Sequence, residues 1–324
     1  MIITRTPYRV SFLGGGSDIA SFYEKSPGAV LSTSIQQYMY ITVHPSFNAK
    51  ETRVKYTRTE VVEDIDDIEH PIVRAALKKL DIQGVEITSV GDIPAQTGLG
   101  SSSSFTVGLL LALHAYKGED ISKEDLAKEA CEIEIDILGE PIGKQDQYAA
   151  AYGGLRQYTF KSDGTVDIEV VNLTQDKRQE LEESLLLFFT GTTRSASKIL
   201  KEQSESLSND ESKTIAMQQM VGMVPQLLSE LLQGNVASLG DYLDKGWNIK
   251  RHLATSISNS NLNQIYEKAR RYGASGGKIL GAGGGGFFLL SCPKSKQNNL
   301  IAKLGLKYIP VKFDTDGATI VYRD

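Results

Sequence analysis

The stretch Pro94-Ala-Gln-Thr-Gly-Leu-Gly-Ser-Ser-Ser-Ser104 carries the clearest chemistry in the chain. Gly98 and Gly100 permit a backbone at φ > 0 and a close approach to a ligand. Ser101, Ser102, Ser103 and Ser104 come next, and the apolar run from Phe105 to Tyr116 predicts a helix behind them. A helix N-terminus presents unpaired N–H groups and a partial positive charge, so it binds phosphate. The hydroxyls could reach a metal or a phosphate oxygen. Serine is also a preferred N-cap, and a lone turn of this kind reads first as an ordinary capped helix.

Two more glycine clusters change that weighting. Gly14-Gly15-Gly16-Ser17-Asp18 follows a predicted strand, Tyr8 to Leu13, and Gly281-Ala-Gly-Gly-Gly-Gly286 follows Lys278 to Leu280. Three glycine-rich turns, each behind a strand, suggest a site where backbone meets a polyanion. The last matches G-x-G-x-x-G but opens onto a strand, Phe287 to Cys292, so the dinucleotide fingerprint fails on context. The chain has no G-x-x-x-x-G-K-[ST], no H-R-D or D-F-G and no G-x-S-x-G. P-loop and protein-kinase chemistry are thereby excluded, and the G-x-S-x-G elbow is absent. His44, His70, His114 and His252 have no metal-ligand spacing. The acids between Glu60 and Glu69 lack the glycine of a calcium loop and read as a solvated segment.

The elements that must position these turns follow from periodicity. Strands are predicted at Ala29 to Ser34, Met39 to His44 and Val85 to Val90, with a helix opened by Pro71. Ser122 and Asp125 cap a helix reaching Leu138, ended by Gly139 and Pro141. A short helix starts near Asp146, and a hairpin joins Gln157–Phe160 to Val166–Val171. Leu185 to Phe189 reads as a buried strand. The polar segment Glu202 to Lys213 reads as an exposed helix end or mobile loop. Methionines and leucines from Met217 to Leu231 keep helical spacing and read as core. Further helices run from Val236 to Leu253 and from Leu262 to Tyr272, with Ser260 near the N-cap. The end alternates α-β-β-α-β-β, which predicts an antiparallel sheet backed by helices. The pattern shifts from strand-rich to helix-rich near residues 184–200, giving domains 1–190 and 191–324.

With 324 residues and 40% hydrophobic content the chain can bury a large core. Its charge of −5 disfavours general nucleic-acid binding. Cys131 and Cys292 make neither a disulfide framework nor a zinc site and fit a reducing cytoplasm. The N-terminal residues lack the apolar centre of a signal peptide, and no apolar run approaches the ~20 residues of a membrane span.

Three segments together resemble the signatures of the GHMP small-molecule kinases: Pro7–Asp18, Pro94–Ser104 and Lys278–Phe287, in the family's order across essentially the whole chain. Gly143-Lys-Gln-Asp-Gln-Tyr-Ala-Ala-Ala-Tyr-Gly-Gly154, Gly14–Asp18 and Thr190–Ser197 are similar to the heptose 7-phosphate kinases within that family. The resemblance implies an α+β fold of two domains. The N-terminal domain would hold a mixed sheet with a left-handed β-α-β unit, and the C-terminal domain would be ferredoxin-like. The implied reaction moves the γ-phosphoryl of ATP, with Mg²⁺, to the anomeric hydroxyl of a sugar phosphate.

By the same resemblance Asp146 is the catalytic aspartate and Arg9 stabilises it or the transferring phosphoryl. Pro94, Gly98, Leu99, Gly100 and Ser101–Ser104 would hold ATP. Ser102 and Glu134, the latter twelve residues before Asp146, would hold Mg²⁺. Asp18, Gly15, Gly16, Lys144, Arg194, Gly283 and Gly284 would bind the sugar, Arg194 as clamp for its phosphate. Without the resemblance Asp146 reads as a helix cap, Glu134 as a helix-surface acid and Arg194 as a solvent-facing side chain. A fucose- or galactose-type sugar-1-kinase, a phosphorylated-isoprenoid kinase and a non-catalytic ATP and sugar sensor are the rival readings. The partners expected are ATP and the sugar phosphate, with no nucleic acid or membrane and a homodimer left open.

Overall fold

The computed structural model describes residues 1–193 and 196–324. The chain opens with β1 (Ile2–Leu13), α1 (Ala20–Tyr23), β2 (Gly28–Pro45), β3 (Thr52–Lys55) and β4 (Thr59–Val62). Next come α2 (Pro71–Leu80), β5 (Val85–Gly91), α3 (Ser101–Lys117), α4 (Lys123–Cys131) and α5 (Gln145–Tyr152). β6 (Leu155–Phe160), β7 (Val166–Val170), α6 (Gln175–Glu183) and β8 (Leu185–Phe189) lead to a helical stretch. That stretch is α7 (Ala196–Asn209), α8 (Glu211–Leu232), α9 (Leu239–Lys250) and α10 (Ser260–Arg271). β9 (Gly276–Ile279), β10 (Phe287–Ser291), α11 (Lys294–Leu304), β11 (Tyr308–Pro310) and β12 (Thr319–Arg323) complete the described elements.

The first sheet has the order β12-β1-β2-β5-β3-β4, with β6 also paired to β2 and β7 to β6. Among the described residues only β3 and β5 pair in parallel, which makes the sheet mixed, and α2 supplies the crossover a parallel pair requires. The second sheet has the order β11-β8-β10-β9 and is antiparallel throughout. Counted along the chain this is the 4-1-3-2 order of a ferredoxin-like unit, with helices after its first and third strands. The α+β expectation therefore holds.

Two apolar cores meet on β1 and β2. One lies under α2, α3, α4 and α5 and includes Ile41, Val43, Val73, Leu77, Leu109 and Leu113. The other joins Tyr8, Val10 and Phe12 to Val224, Leu243, Trp247, Leu187 and Phe288. β1 is covered on both faces, so every residue from Arg5's neighbour Thr6 to Leu13 is buried.

Several elements differ from the sequence expectation. The strands expected at 29–34 and 39–44 are one strand, β2, because no glycine or proline interrupts it. Its register against β1 jumps from Tyr38 to Ile35, a bulge that bends it between partners β5 and β6. The helix expected to reach Leu138 changes at Glu132–Ile137 into a π-helical turn. Glu202 to Lys213 lies within α7 and the start of α8, with Ile199, Gln203 and Leu207 buried. Asn259 rather than Ser260 caps α10, accepting from the Leu262 N–H at 3.0 Å.

Sheet membership also departs from a cut after residue 190. β8 sits inside the second sheet, and the last strand, expected there, instead pairs with β1 (Ile2 opposite Arg323). Without β12 the first half of β1 would present an open edge.

Trp247 is the chain's single tryptophan, fully buried, with its ring edge-on to Phe288 at 6.0 Å and Tyr266 at 6.4 Å. Trp247→Ala should remove about 3–5 kcal/mol of stability by leaving a cavity. Urea melts followed by circular dichroism measure this, since the variant has no tryptophan emission. A loss below about 1 kcal/mol would mean the site collapses around the smaller side chain.

Candidate active site

Arg9 lies mid-way along β1, where both faces of the strand are covered, and is only 4% exposed. A guanidinium in such a place must find acceptors. Arg9 Nε and Nη2 donate to Asp146 Oδ1 and Oδ2, each at 2.7 Å, a bidentate pair. Nη1 donates to the Gly98 carbonyl at 2.6 Å, and the Arg9 N–H to the Leu99 carbonyl at 3.1 Å. One residue thus ties β1 to the first turn of α5 and to the loop before α3.

That loop ends in Gly100, the N-cap of α3, at φ +76° and without a side-chain cap. The serines therefore do not cap their helix, contrary to the first reading of the turn. The N-terminal end of α3 is left open toward the ion pair: a Cβ on Gly100 would stand 3.2 Å from Asp146 Oδ2. The helix end suited to phosphate and the Arg9–Asp146 pair are neighbours.

Glu134 lies in the π-helical turn, closed by the Leu138 N–H bonding to the Ile133 carbonyl at 3.0 Å. Such turns gather at functional sites because they re-aim a side chain. Glu134 is 1% exposed. Its Oε1 accepts from Ser102 Oγ at 2.6 Å and its Oε2 from Gln147 Nε2 at 2.7 Å. Burial pushes its pKa up to about 7, and hydrogen bonds from Ser102, Ser103 and Gln147 pull the other way.

The glycine loops of the two sheets approach backbone to backbone. Gly98 has φ +84°, and a Cβ there would lie 2.5 Å from the Leu280 carbonyl. The Phe287 N–H donates to the Thr97 carbonyl at 3.2 Å, and the Gly284 N–H to the Ile257 carbonyl at 2.8 Å. Gly283 and Gly284 thus brace their loop against the segment after α9.

Some expected contacts take other roles. Leu99 is fully buried, and Ser104 Oγ donates to the Pro7 carbonyl at 2.8 Å, so both anchor the loop from behind. Pro94 closes the turn by accepting from Thr97 Oγ1 at 3.0 Å. Asp18 is 2% exposed, and its carboxylate accepts from Gly16 N–H at 2.9 Å and Gln145 N–H at 3.1 Å. Burial, with Asp146 adding to it, raises its pKa. It locks the Gly14–Gly16 turn to the start of α5. Lys144 turns away: its Nζ donates to the Gly164 carbonyl at 2.7 Å and lies 5.0 Å from the Tyr23 ring centre. Arg194 lies outside the described residues.

Comparison with known proteins gives the family. A model described as the GHMP kinases N terminal domain matches residues 69–154, and the GHMP kinases C terminal model matches residues 227–309. A D-glycero-alpha-D-manno-heptose 7-phosphate kinase from Campylobacter jejuni is 31% identical over 94% of this chain and 93% of its own length. The chain belongs to the GHMP kinase family. A galactokinase from Pyrococcus furiosus is 25% identical over 92% of this chain and 91% of its own. Among solved structures, a D-glycero-D-manno-heptose 1-phosphate kinase from Bacteroides thetaiotaomicron shares the fold. Its TM-score is 0.83 at 23% identity, and the match covers 100% of both chains. GHMP kinases are phosphotransferases that use ATP as phosphate donor. No helix among the described residues is long and apolar enough to cross a membrane.

This GHMP kinase holds two buried lysines beside the ion pair that sequence reasoning did not single out. Lys250, the last residue of α9, donates to the Gly281 carbonyl at 2.8 Å. Lys278 on β9 donates to the Ser11 carbonyl at 2.9 Å and to Ser11 Oγ at 3.3 Å. Burial depresses both, Lys278 strongly, with Lys250 and Arg9 adding to it. Lys250 is pushed down to about 8, with Asp18 opposing the shift. Lys250 ends an amphipathic helix pattern, where a lysine usually reaches solvent; nothing local in sequence marks it as buried.

The folded chain binds fewer protons at Lys250 than the unfolded chain does between about 8 and 10.5. Below about 8 the cost of a buried ammonium is fully present, and stability rises with pH through that window. Urea melts should show wild type gaining on Lys250→Met from pH 8 to pH 10.5. A pH-independent difference would remove the buried ammonium from the account.

Proposed function

We propose that this kinase transfers the γ-phosphoryl group of ATP to the anomeric hydroxyl of D-glycero-D-manno-heptose 7-phosphate, giving the 1,7-bisphosphate. The observation that carries this reading is the bidentate Arg9–Asp146 pair set against the uncapped N-terminus of α3. Phosphoryl transfer needs phosphates held, charge neutralised and a nucleophile oriented, and this arrangement supplies residues for each. The heptose phosphate is supported by the name of the Campylobacter jejuni relative. The galactokinase relative makes a sugar-1-kinase acting on an unphosphorylated sugar the second reading.

In this scheme the N–H groups at Ser101–Ser103 hold the phosphates of ATP, with Gly98 and Gly100 letting the chain come close. Arg9 occupies one lone pair on each Asp146 oxygen and leaves others free for the acceptor hydroxyl. Asp146 orients that hydroxyl and takes its proton as the new O–P bond forms and ADP departs. Arg9 keeps the carboxylate in place and faces the charge that develops.

Ser102 and Glu134 supply a hydroxyl and a carboxylate beside the same helix end, oxygen donors of the kind Mg²⁺ takes. Mg²⁺ is commonly held by one or two protein oxygens together with nucleotide phosphates, and Ser102 and Glu134 would serve in that way. Bound there, Mg²⁺ would neutralise charge on the phosphates.

Asp146→Asn should keep nucleotide affinity while turnover falls by about 10²–10⁴. Calorimetry with a non-hydrolysable ATP analogue and a coupled ADP assay read the two quantities. Full turnover by the variant would take Asp146 out of the mechanism. ADP release should be fastest with the heptose 7-phosphate in a panel that includes L-fucose and D-galactose. Turnover with only the unphosphorylated sugars would replace the first reading by the second.

A further inference from the structure

α7 carries a polar residue in the wrong place for a structural helix. Its buried positions are Ile199, Gln203 and Leu207, spaced i, i+4, i+8 along one face. An apolar residue would complete that stripe at its centre. Gln203 stands there instead, with zero exposure. Neither Nε2 nor Oε1 of its amide meets a hydrogen-bond partner among the described residues. A buried, unpaired amide costs stability, so a position that keeps one has a use for it.

The amide points at the glycine turn beside the catalytic pair. A Cβ on Gly16 would collide with Gln203 Nε2. The neighbouring Gly15 lies against Gln145 and Ser11 Oγ. Gln145 Oε1 has no partner either, on a residue 9% exposed. Ser32 Oγ, 1% exposed and likewise unpaired, belongs to the residue opposite Ser11 in the β1–β2 register. Residues directly opposite across a ladder share a face. Gln203 thus faces Gly16 with its whole amide unpaired, and Gln145 faces Gly15 with its Oε1 unpaired and its Nε2 donating to Asp18 Oδ1 at 3.4 Å, while Ser32 Oγ is unpaired on the face of the ladder that carries Ser11.

The helix is fastened to the segments around it at several points. Ser204 Oγ donates to Ser21 Oγ at 2.9 Å, and Ser197 Oγ donates to Glu140 Oε2 at 2.6 Å. Glu202 accepts from the Thr255 N–H and Oγ1, both at 2.8 Å, and from Ser256 Oγ. α7 is a wall of the Gly14–Asp18 turn with its one buried amide turned inward.

We propose that Gln203, together with Gln145 and Ser32, binds hydroxyl groups of the acceptor sugar, so that α7 sets which polyol the enzyme accepts. This rests on the sugar-kinase reading above. A primary amide both donates and accepts, which matches vicinal hydroxyls, since each hydroxyl also does both. A site built to pair such hydroxyls rejects analogues that lack them, because its own polar groups are then left unpaired.

The test is Gln203→Met, of similar length and without the amide, assayed beside wild type with the heptose 7-phosphate, L-fucose and D-galactose. For whichever sugar wild type turns over, the variant's kcat/KM should fall at least about tenfold, chiefly through KM. The KM for ATP should stay within about twofold, and the thermal midpoint should hold or rise. If the variant does not fold, Gln203→Asn, which retracts the amide, should show a smaller loss in the same direction. Unchanged acceptor kinetics overturn the proposal, and a lowered midpoint with those kinetics would assign the amide to an internal water. A wild type that turns over only an unphosphorylated sugar refutes the heptose phosphate reading and leaves Gln203 to be judged on that sugar. No turnover with any of the three refutes both.

Discussion

An arginine that is 4% exposed is the constraint around which the rest of the molecule is arranged. Its charge cannot be withdrawn, so burial demands paired acceptors in fixed positions. Asp146 supplies two, the Gly98 carbonyl a third. Each lies on a different element, so satisfying one side chain fixes α5 and the loop before α3 against β1. Buried ion pairs contribute little net stability, because desolvation offsets their attraction. The two apolar cores on either side of β1 and β2 make such a pair tolerable.

Burial then multiplies the effect of every nearby charge. Asp146 raises Asp18 and Glu134 beyond what burial alone does, and Lys250 and Arg9 depress Lys278. In water these groups would scarcely sense one another; at low effective dielectric they form one electrostatic unit. The backbone takes part as well. Gly98 and Gly281 pack so closely that a side chain on either would strike the other loop, so these two loops meet through main chain. The donors of α3 are left without side-chain caps at the point where charge is to be gathered.

What sequence reasoning recovered was local. Glycine clusters behind strands, the strand Leu185–Phe189 and the cap at Ser122 follow from propensity and turn chemistry, and their family order led from a capped helix to a kinase. What it missed depends on contacts far along the chain. The unbroken β2 needs β5 and β6 to hold it through a bulge, and β12 pairs with β1 from the opposite end of the chain. The π-helical turn at Glu132–Ile137 inserts a residue that no 3.6-residue pattern reveals. Lys144 looked like a site cation by proximity in sequence, yet Gly164 and Tyr23 hold it elsewhere. Lys250 and Lys278 sit in the cation cluster without a local signal.

The same division separates reaction from acceptor. Phosphoryl chemistry is written in short motifs, because backbone N–H groups at a helix start and one ion pair suffice for it. Acceptor recognition, on the proposal made for Gln203, draws on side chains spread over β2, α5 and α7, each ordinary in its own segment. Gln203 makes the point: in sequence it is one polar residue in a polar segment, and only folding shows that it occupies the centre of a buried stripe. Local rules broken inside a core are where specificity can be sought, since packing alone would have placed a leucine there. A family that keeps its motifs and changes such positions can keep its reaction while changing its sugar.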